Sequence, residues 1–498
     1  MVKFYQQTVK FIGSKSFFVV ILLIFGFSAG WLAVSSRYPM AFDEDYHLGL
    51  IQLHAQQNSP IFTHQPTGVA RYGALTRDPS YLYHYLMSWP YRWLNHTNIS
   101  VSHLIVTLRF INIGLFMASL VVFRKLFSSL RASPQIINIS FLFFVLTPVV
   151  PLLAAHINYD NLQILLLAIV LLLMIKFKLS LAKKPDGSSL INALTISLLG
   201  CLVKFTFLPF LTAIVIYMVI ELVSHQRRNL LAKFKTDFKA KPVHRQIVLM
   251  SGLVLATALF INTYGVNLIK YHNPVPQCGQ VLGVERCAAY PPWNRNHLAA
   301  LTNTGVDPSP LRFSVGWIWG MFDRLFFTIN GHGQTADNTN YLAPIMAGMA
   351  ILIIVFGVYL LIKHGREILA KDPILNLILF VSIVYIMSLW GRNYHDYLNL
   401  GRMVAINGRY LVPVILPFYI LLAQAYQRHL AGQVKAKAIL LLAACLAFSQ
   451  GGGVISFMYY SNPDWYWPHD QFVNQINSDA KRLVKPLFVA GNWPYHRR

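Results

Sequence analysis

The sequence predicts an all-α polytopic membrane protein, and three observations carry that reading. Hydrophobic residues make up 55% of the 498 and charged residues only 12%, too little charge to cover a soluble chain of this length. Apolar runs of roughly 17–24 residues, long enough to cross the hydrocarbon core, recur about eleven times. Basic residues concentrate in the short segments between alternate runs.

The runs lie near 17–36, 104–123, 135–154, 161–177, 189–205, 207–224, 246–267, 342–362, 374–390, 409–427 and 437–457. The stretch 189–224 is one apolar run interrupted only by Lys204 and Pro209, and reads as a tight hairpin. Run 17–36 carries Trp31 and Arg37 where a signal peptide would carry small residues, so it reads as a retained anchor. With the N-terminus inside, the short inside segments hold 23 of the 42 lysines and arginines, and 13 of the 18 acids fall outside. The expected orientation is therefore N-in, C-out. The net charge of +24 is then a topology signal, because no soluble basic domain is present to bind nucleic acid.

Residues 1–457 read as one transmembrane unit that includes the outside loops 37–103 and 268–341; 458–498 is a short outside tail. Within the first loop, 46–57 and 81–94 are too short to span and read as amphipathic helices at the membrane interface. Trp317, Trp319, Phe322, Phe326 and Phe327 give the second loop a similar aromatic stretch, as Trp465, Tyr466 and Trp467 do the tail. Cys201 and Cys445 lie inside spans as small buried hydrophobes. Cys278 and Cys287 share one outside loop, where an oxidising compartment permits a disulfide.

Polar residues that could do chemistry collect at the outside ends of the spans. Asp43, Glu44, Asp45 and His47 follow the first span, a costly concentration of charge beside a low-dielectric boundary. His156, Asn158 and Asp160 occupy the short turn between the third and fourth runs. Lys204 ends the fifth, Arg392 follows the ninth, and Arg409 and Tyr410 open the tenth; Arg109 lies one to two turns into the second. Arginine can hold phosphate oxygens bidentately, and a facing carboxylate can remove a proton from an attacking hydroxyl or amine. Together they describe group transfer from a lipid phosphate to an acceptor. Each element also has a plain structural reading. The acids can cap an interfacial helix, Asp160 can be an N-cap, Lys204 and Arg409 can snorkel, and the histidines can be structural. Their shared membrane level favours a site.

The ordered set resembles the GT-C superfamily of integral-membrane glycosyltransferases, which includes the protein O-mannosyltransferases and the aminoarabinose transferases of lipid A. Asp43-Glu44-Asp45-Tyr46-His47 is similar to the Asp-Glu-x-x-His opening of a bacterial group within it. Asn158-Tyr159-Asp160-Asn161-Leu162, Lys204-Phe205-Thr206, Gly408-Arg409-Tyr410 with Pro413 and Pro417, and Leu108-Arg109-Phe110 resemble its further elements, in order over about residues 15–430. The resemblance implies inverting transfer from a polyprenyl-phosphate sugar to a glycan, lipid or protein acceptor, on the periplasmic face of a bacterial inner membrane. It implies Asp43 as general base, with Glu44 supporting the base or a metal. Asp160 would bind acceptor or orient the base, with Asp45, His47, Asn158 and His156 beside it. Donor phosphate would fall to Arg409, with Tyr410, Lys204, Arg109 and Arg392. A divalent cation such as magnesium or manganese would have Asp43 and Glu44 as ligands, although no metal-ligand spacing marks them. Asp45 stands where the group often has proline, which leaves open whether Asp43 or Asp45 is the base. The short tail speaks against the oligosaccharyltransferase branch.

Two other classes remain open: a transporter or flippase for lipid-linked glycans, and a polymerase or ligase of the same pathways. Charges at one interface, without half-to-half symmetry, favour transfer over transport.

Overall fold

A computed structural model describes residues 2–181, 186–224, 236–326, 344–450, 465–468 and 470–484. Helix dominates, and the described residues contain no β-sheet, only one isolated bridge between Ser36 and Tyr466. Where they are described, the eleven apolar runs fall largely on helix; 342–362 begins, and 437–457 ends, outside the described residues. Among the described residues, seven helices are long and apolar enough to cross a membrane: Lys15–Ser35, Val101–Phe127, Tyr159–Ser180, Val243–Tyr271, Gly348–Lys371, Pro373–Leu400 and Gly408–His429. The chain is a multi-pass membrane protein.

Polar side chains set where these helices begin. Ser14 accepts a hydrogen bond from the Phe17 amide at 3.1 Å, and Asp372 accepts from the amides of Ile374 and Leu375, both at 3.1 Å. Each satisfies N–H groups that the first helical turn leaves without a partner. The run expected over 135–154 is not one helix. It breaks between Pro134–Leu146 and Val149–Ala154, because Pro148 lacks an amide hydrogen and forces Thr147 out of helical geometry. The hairpin expected over 189–224 is present, with Lys204 extended between Gly187–Val203 and the short turn Phe205–Phe207.

The main core runs along the spans, where Phe25, Phe116, Phe144, Leu167, Leu375 and Ile420 are buried together. A second cluster sits at one end of the bundle. Leu48, Ile51, Tyr83, Leu104, Leu108, Ile157 and Val203 join the loop helices Glu44–Ala55 and Leu82–His96 to the ends of the spans. This corrects the reading of 46–57 as a surface helix. Glu44–Ala55 buries Glu44, His47, Leu48, Leu50, Ile51 and His54, so it is a wall of the protein. Leu82–His96 keeps the amphipathic character, with Trp89 and Trp93 exposed on its outer face.

Candidate functional site

The site grows from two helix starts built alike. Asn158 accepts from the Asp160 amide at 2.9 Å, and Asn407 accepts from the Arg409 amide at 3.0 Å. In both, an asparagine N-cap fixes the first turn and sets a charged residue two positions on. The local sequence thereby fixes the backbone at Asp160 and Arg409.

Asp43 is placed differently. Phe42 and Asp43 both have left-handed backbone, with φ 61° and 64°. L-residues with side chains occupy this region at a cost of about 1–3 kcal/mol each, and such positions cluster at functional sites. Asn158 helps to hold the turn, donating from Nδ2 to the Phe42 carbonyl at 3.0 Å. Although Asp43 stands at the N-cap of Glu44–Ala55, its side chain caps nothing. Its Oδ2 instead accepts from Arg409 Nη2 at 3.0 Å, with the carboxylate side chain 64% exposed.

Arg409 is the opposite case, only 7% exposed. Its guanidinium carbon lies 4.9 Å from the Phe42 ring centre and 5.2 Å from that of Tyr410. Nη2 reaches Asp43 and the Tyr410 hydroxyl, while Nε and Nη1 are buried without a hydrogen-bond partner among the described residues. Two unmatched donors on a buried cation are expensive unless an acceptor fills the place. Next to it, Lys204 pairs with Asp160 Oδ1, its ammonium 4.5 Å from the Tyr159 ring centre and 5.0 Å from that of Tyr410. Asp160 Oδ2 is buried with no partner among the described residues.

Beneath this layer lies a closed ion pair. Glu44 and Arg109 are both fully buried. Arg109 donates from Nε to Glu44 Oε1 at 2.8 Å and from Nη2 to Oε2 at 2.7 Å. Its Nη1 donates to the carbonyls of Ala33 at 2.9 Å and Ser36 at 2.5 Å. The Met40 amide, at 2.8 Å, and the Ile157 amide, at 3.3 Å, complete the carboxylate. Burial alone would raise the Glu44 pKa, but the Arg109 guanidinium overrides it and holds the carboxyl below its ordinary range. Two sequence expectations change here. All three nitrogens of Arg109 are engaged, leaving none for a donor phosphate, and Glu44 is a structural anchor with both oxygens occupied. The expected Asp43–Glu44 metal pair fails for the same reason. Among the described residues, no group of three or more histidine, cysteine or acidic side chains is arranged to hold a metal.

The remaining expected residues fall into two groups. His47 and His156 are buried beside the site; burial pushes the His156 imidazole down to about 4, which keeps it neutral. His156 Nδ1 bonds the Leu152 carbonyl, and its Nε2 is buried without a partner among the described residues. Asp45 is exposed one residue beyond Glu44. Arg392 does not join the cluster: it pairs at 3.1 Å with Asp396 on its own helix, its side chain 57% exposed. Cys278 and Cys287 are disulfide-bonded. Sequence reasoning missed Asn112, which accepts from the Tyr83 hydroxyl at 2.8 Å and from Asn161 at 3.2 Å. It also missed His84, bonded to His47 at 2.9 Å. Their signal, a polar residue on an otherwise apolar or aromatic helix, was present but not specific.

No protein-family profile matches the chain, and no curated protein does. Among solved structures the chain is similar to an Archaeoglobus fulgidus oligosaccharyltransferase tethered with an acceptor peptide, at 14% identity and TM-score 0.42, over 94% of this chain and 59% of that one. It is also similar to ArnT from Cupriavidus metallidurans bound to undecaprenyl phosphate, at 12% identity and TM-score 0.44, over 95% of this chain and 70% of that one. The chain thus spans 59% of the length of that oligosaccharyltransferase.

Proposed function

We propose that this protein is a GT-C-type membrane glycosyltransferase that moves a sugar from a polyprenyl-phosphate donor to a hydroxyl- or amine-bearing acceptor on the extracytoplasmic face. The observation that supports it is Arg409: a buried guanidinium with two donor nitrogens, Nε and Nη1, unmatched among the described residues, held against the exposed carboxylate of Asp43. A phosphate satisfies those donors, and its apolar tail stays in the bilayer. Asp43 rather than Asp45 is the base in this reading, since Asp43 is the acid in contact with the cation. Asp43 takes the proton of the acceptor as its oxygen or nitrogen attacks the anomeric carbon. The bond from that carbon to the phosphate oxygen breaks with inversion, and polyprenyl phosphate leaves with its charge held by Arg409. Asp160 and Lys204, neutralising each other, form the adjoining wall.

The test reconstitutes the purified protein in lipid, presents a panel of polyprenyl-phosphate sugars with acceptor extracts, and follows release of polyprenyl phosphate. Wild type consumes at least one donor. Asp43→Asn abolishes release while expressing and folding normally, because its side chain is largely exposed. Failure to consume any donor, together with movement of lipid-linked glycan across vesicles, would replace transfer with transport.

A further inference from the structure

Two buried histidines beside Asp43 are joined in a way that fixes where each proton sits. His47 lies one helical turn after Asp43, its amide donating to the Asp43 carbonyl at 3.0 Å. Its ring is 4.5 Å from that of Tyr159, which covers the Lys204 ammonium on the same flank of the site. His47 Nδ1 is 2.9 Å from His84 Nε2, and His84 Nδ1 is 3.1 Å from the carbonyl oxygen of Ser80. A carbonyl only accepts, so the His84 Nδ1 carries its hydrogen. A neutral His84 then has a bare Nε2, which can only accept, so His47 donates from Nδ1. A neutral His47 is left with a bare Nε2, an acceptor with no partner among the described residues.

We propose that the Ser80–His84–His47 chain locks His47 in one tautomer and presents its Nε2 as a neutral acceptor to the attacking O–H or N–H group, with His84 as a positioning residue. The neutrality has a physical source. Burial, then the charges of Arg409 and Lys204 and the neighbouring His156, hold His47 well below the usual imidazole range. Burial, then His47 and His54, do the same for His84. The environment therefore disfavours the doubly protonated His84 that would reverse the chain. His47 accepts a hydrogen bond from the incoming group and does not take its proton, which goes to Asp43. An unlocked ring would place an N–H at the same point and repel that group.

The inference rests on the transfer reading, and its two measurements separate the two. The first, nitrogen-15 NMR of histidine-labelled protein in lipid with His47 assigned by difference against His47→Gln, needs no activity. It is expected to show a bare Nε2 and a protonated Nδ1 in His47, and loss of that single tautomer in His84→Leu. A protonated Nε2 in wild type would overturn the lock, whatever the protein catalyses. The second is turnover. His84→Leu is expected to lower kcat by about tenfold, the worth of one ordinary hydrogen bond, with the donor KM unchanged. His84→Gln, whose amide accepts from His47 and donates to Ser80, is expected to restore kcat to within about threefold. Wild-type turnover in His84→Leu, with Asp43→Asn inactive, would refute the positioning role and leave the transfer reading standing. Equal loss in the leucine and glutamine variants would also refute it.

Discussion

Replacing Arg109 by methionine keeps most of the side-chain volume and removes the cation bonded to Glu44. The carboxylate then retains two partners, the amides of Met40 and Ile157, in a place without solvent. Removing one partner of a buried pair costs about 3–5 kcal/mol, because the other charge is left uncompensated. At 1.4 kcal/mol per power of ten, that multiplies the unfolded fraction by about 10² to 10^3.5. The carbonyls of Ala33 and Ser36 also lose their donor, so the upper part of this range is expected. The assay is unfolding of purified protein in mixed micelles with increasing sodium dodecyl sulfate, read by tryptophan fluorescence. Adding Glu44→Gln to Arg109→Met removes the stranded charge and is expected to recover about 2 kcal/mol of the loss. The pH dependence has opposite signs in the two proteins. In wild type the folded Glu44 pKa is depressed, so its contribution is complete above the unfolded value near 4.5 and fades as pH falls through the lower folded value. In Arg109→Met, burial without the cation raises that pKa above the unfolded one, so acidification stabilises the variant. The stability gap between the two proteins must therefore narrow below neutral pH. A loss under about 1 kcal/mol, or a double variant no better than the single, would refute the anchor role.

Two further substitutions probe the other layer. Arg409→Lys keeps the charge but loses the planar fork and its two unmatched donors; the donor KM is expected to rise about tenfold or more, measured by initial rates against donor concentration. Gly408→Ala would set a Cβ 2.5 Å from the Leu325 amide nitrogen and 2.8 Å from the Met321 carbonyl oxygen, both backbone atoms that cannot swing aside. It is expected to destabilise the protein by about 1–3 kcal/mol in the same micelle titration and to weaken donor binding by moving Arg409.

What the sequence made legible follows from where the governing physics is local. Span length and composition locate the helices, since the bilayer fixes both. A helix start near Asp160 could be read because a cap acts over three residues, although the cap is Asn158 and not Asp160. Whether an arginine near a membrane boundary meets phosphate or protein is decided elsewhere. Arg109 and Glu44 lie 65 positions apart, and Arg409 and Asp43 lie 366 apart, and nothing local distinguishes the first arginine from the second. The result is that Arg109 became a wall and Arg409 kept free donors. Similarly, an acidic run looks alike whether its members are solvated or buried. Glu44 and Asp45 are neighbours, yet helix geometry turns one inward and the other out. His84 sits within an aromatic stretch whose period fits any interfacial helix, so its bond to His47 left no trace in the pattern.

The far end of the chain meets the beginning at the floor of the site. The Arg37 amide donates to the Trp465 carbonyl at 2.9 Å, Ser36 bridges to Tyr466, and the Arg109 guanidinium carbon lies 5.8 Å from the Trp467 ring centre. During synthesis these early residues emerge long before residue 465 does. Until then the Glu44–Arg109 pair has an open side, and the loop bearing Asp43 lacks one of its supports. Closure of this floor therefore waits on residues 465–467, which are made long after Glu44 and Arg109.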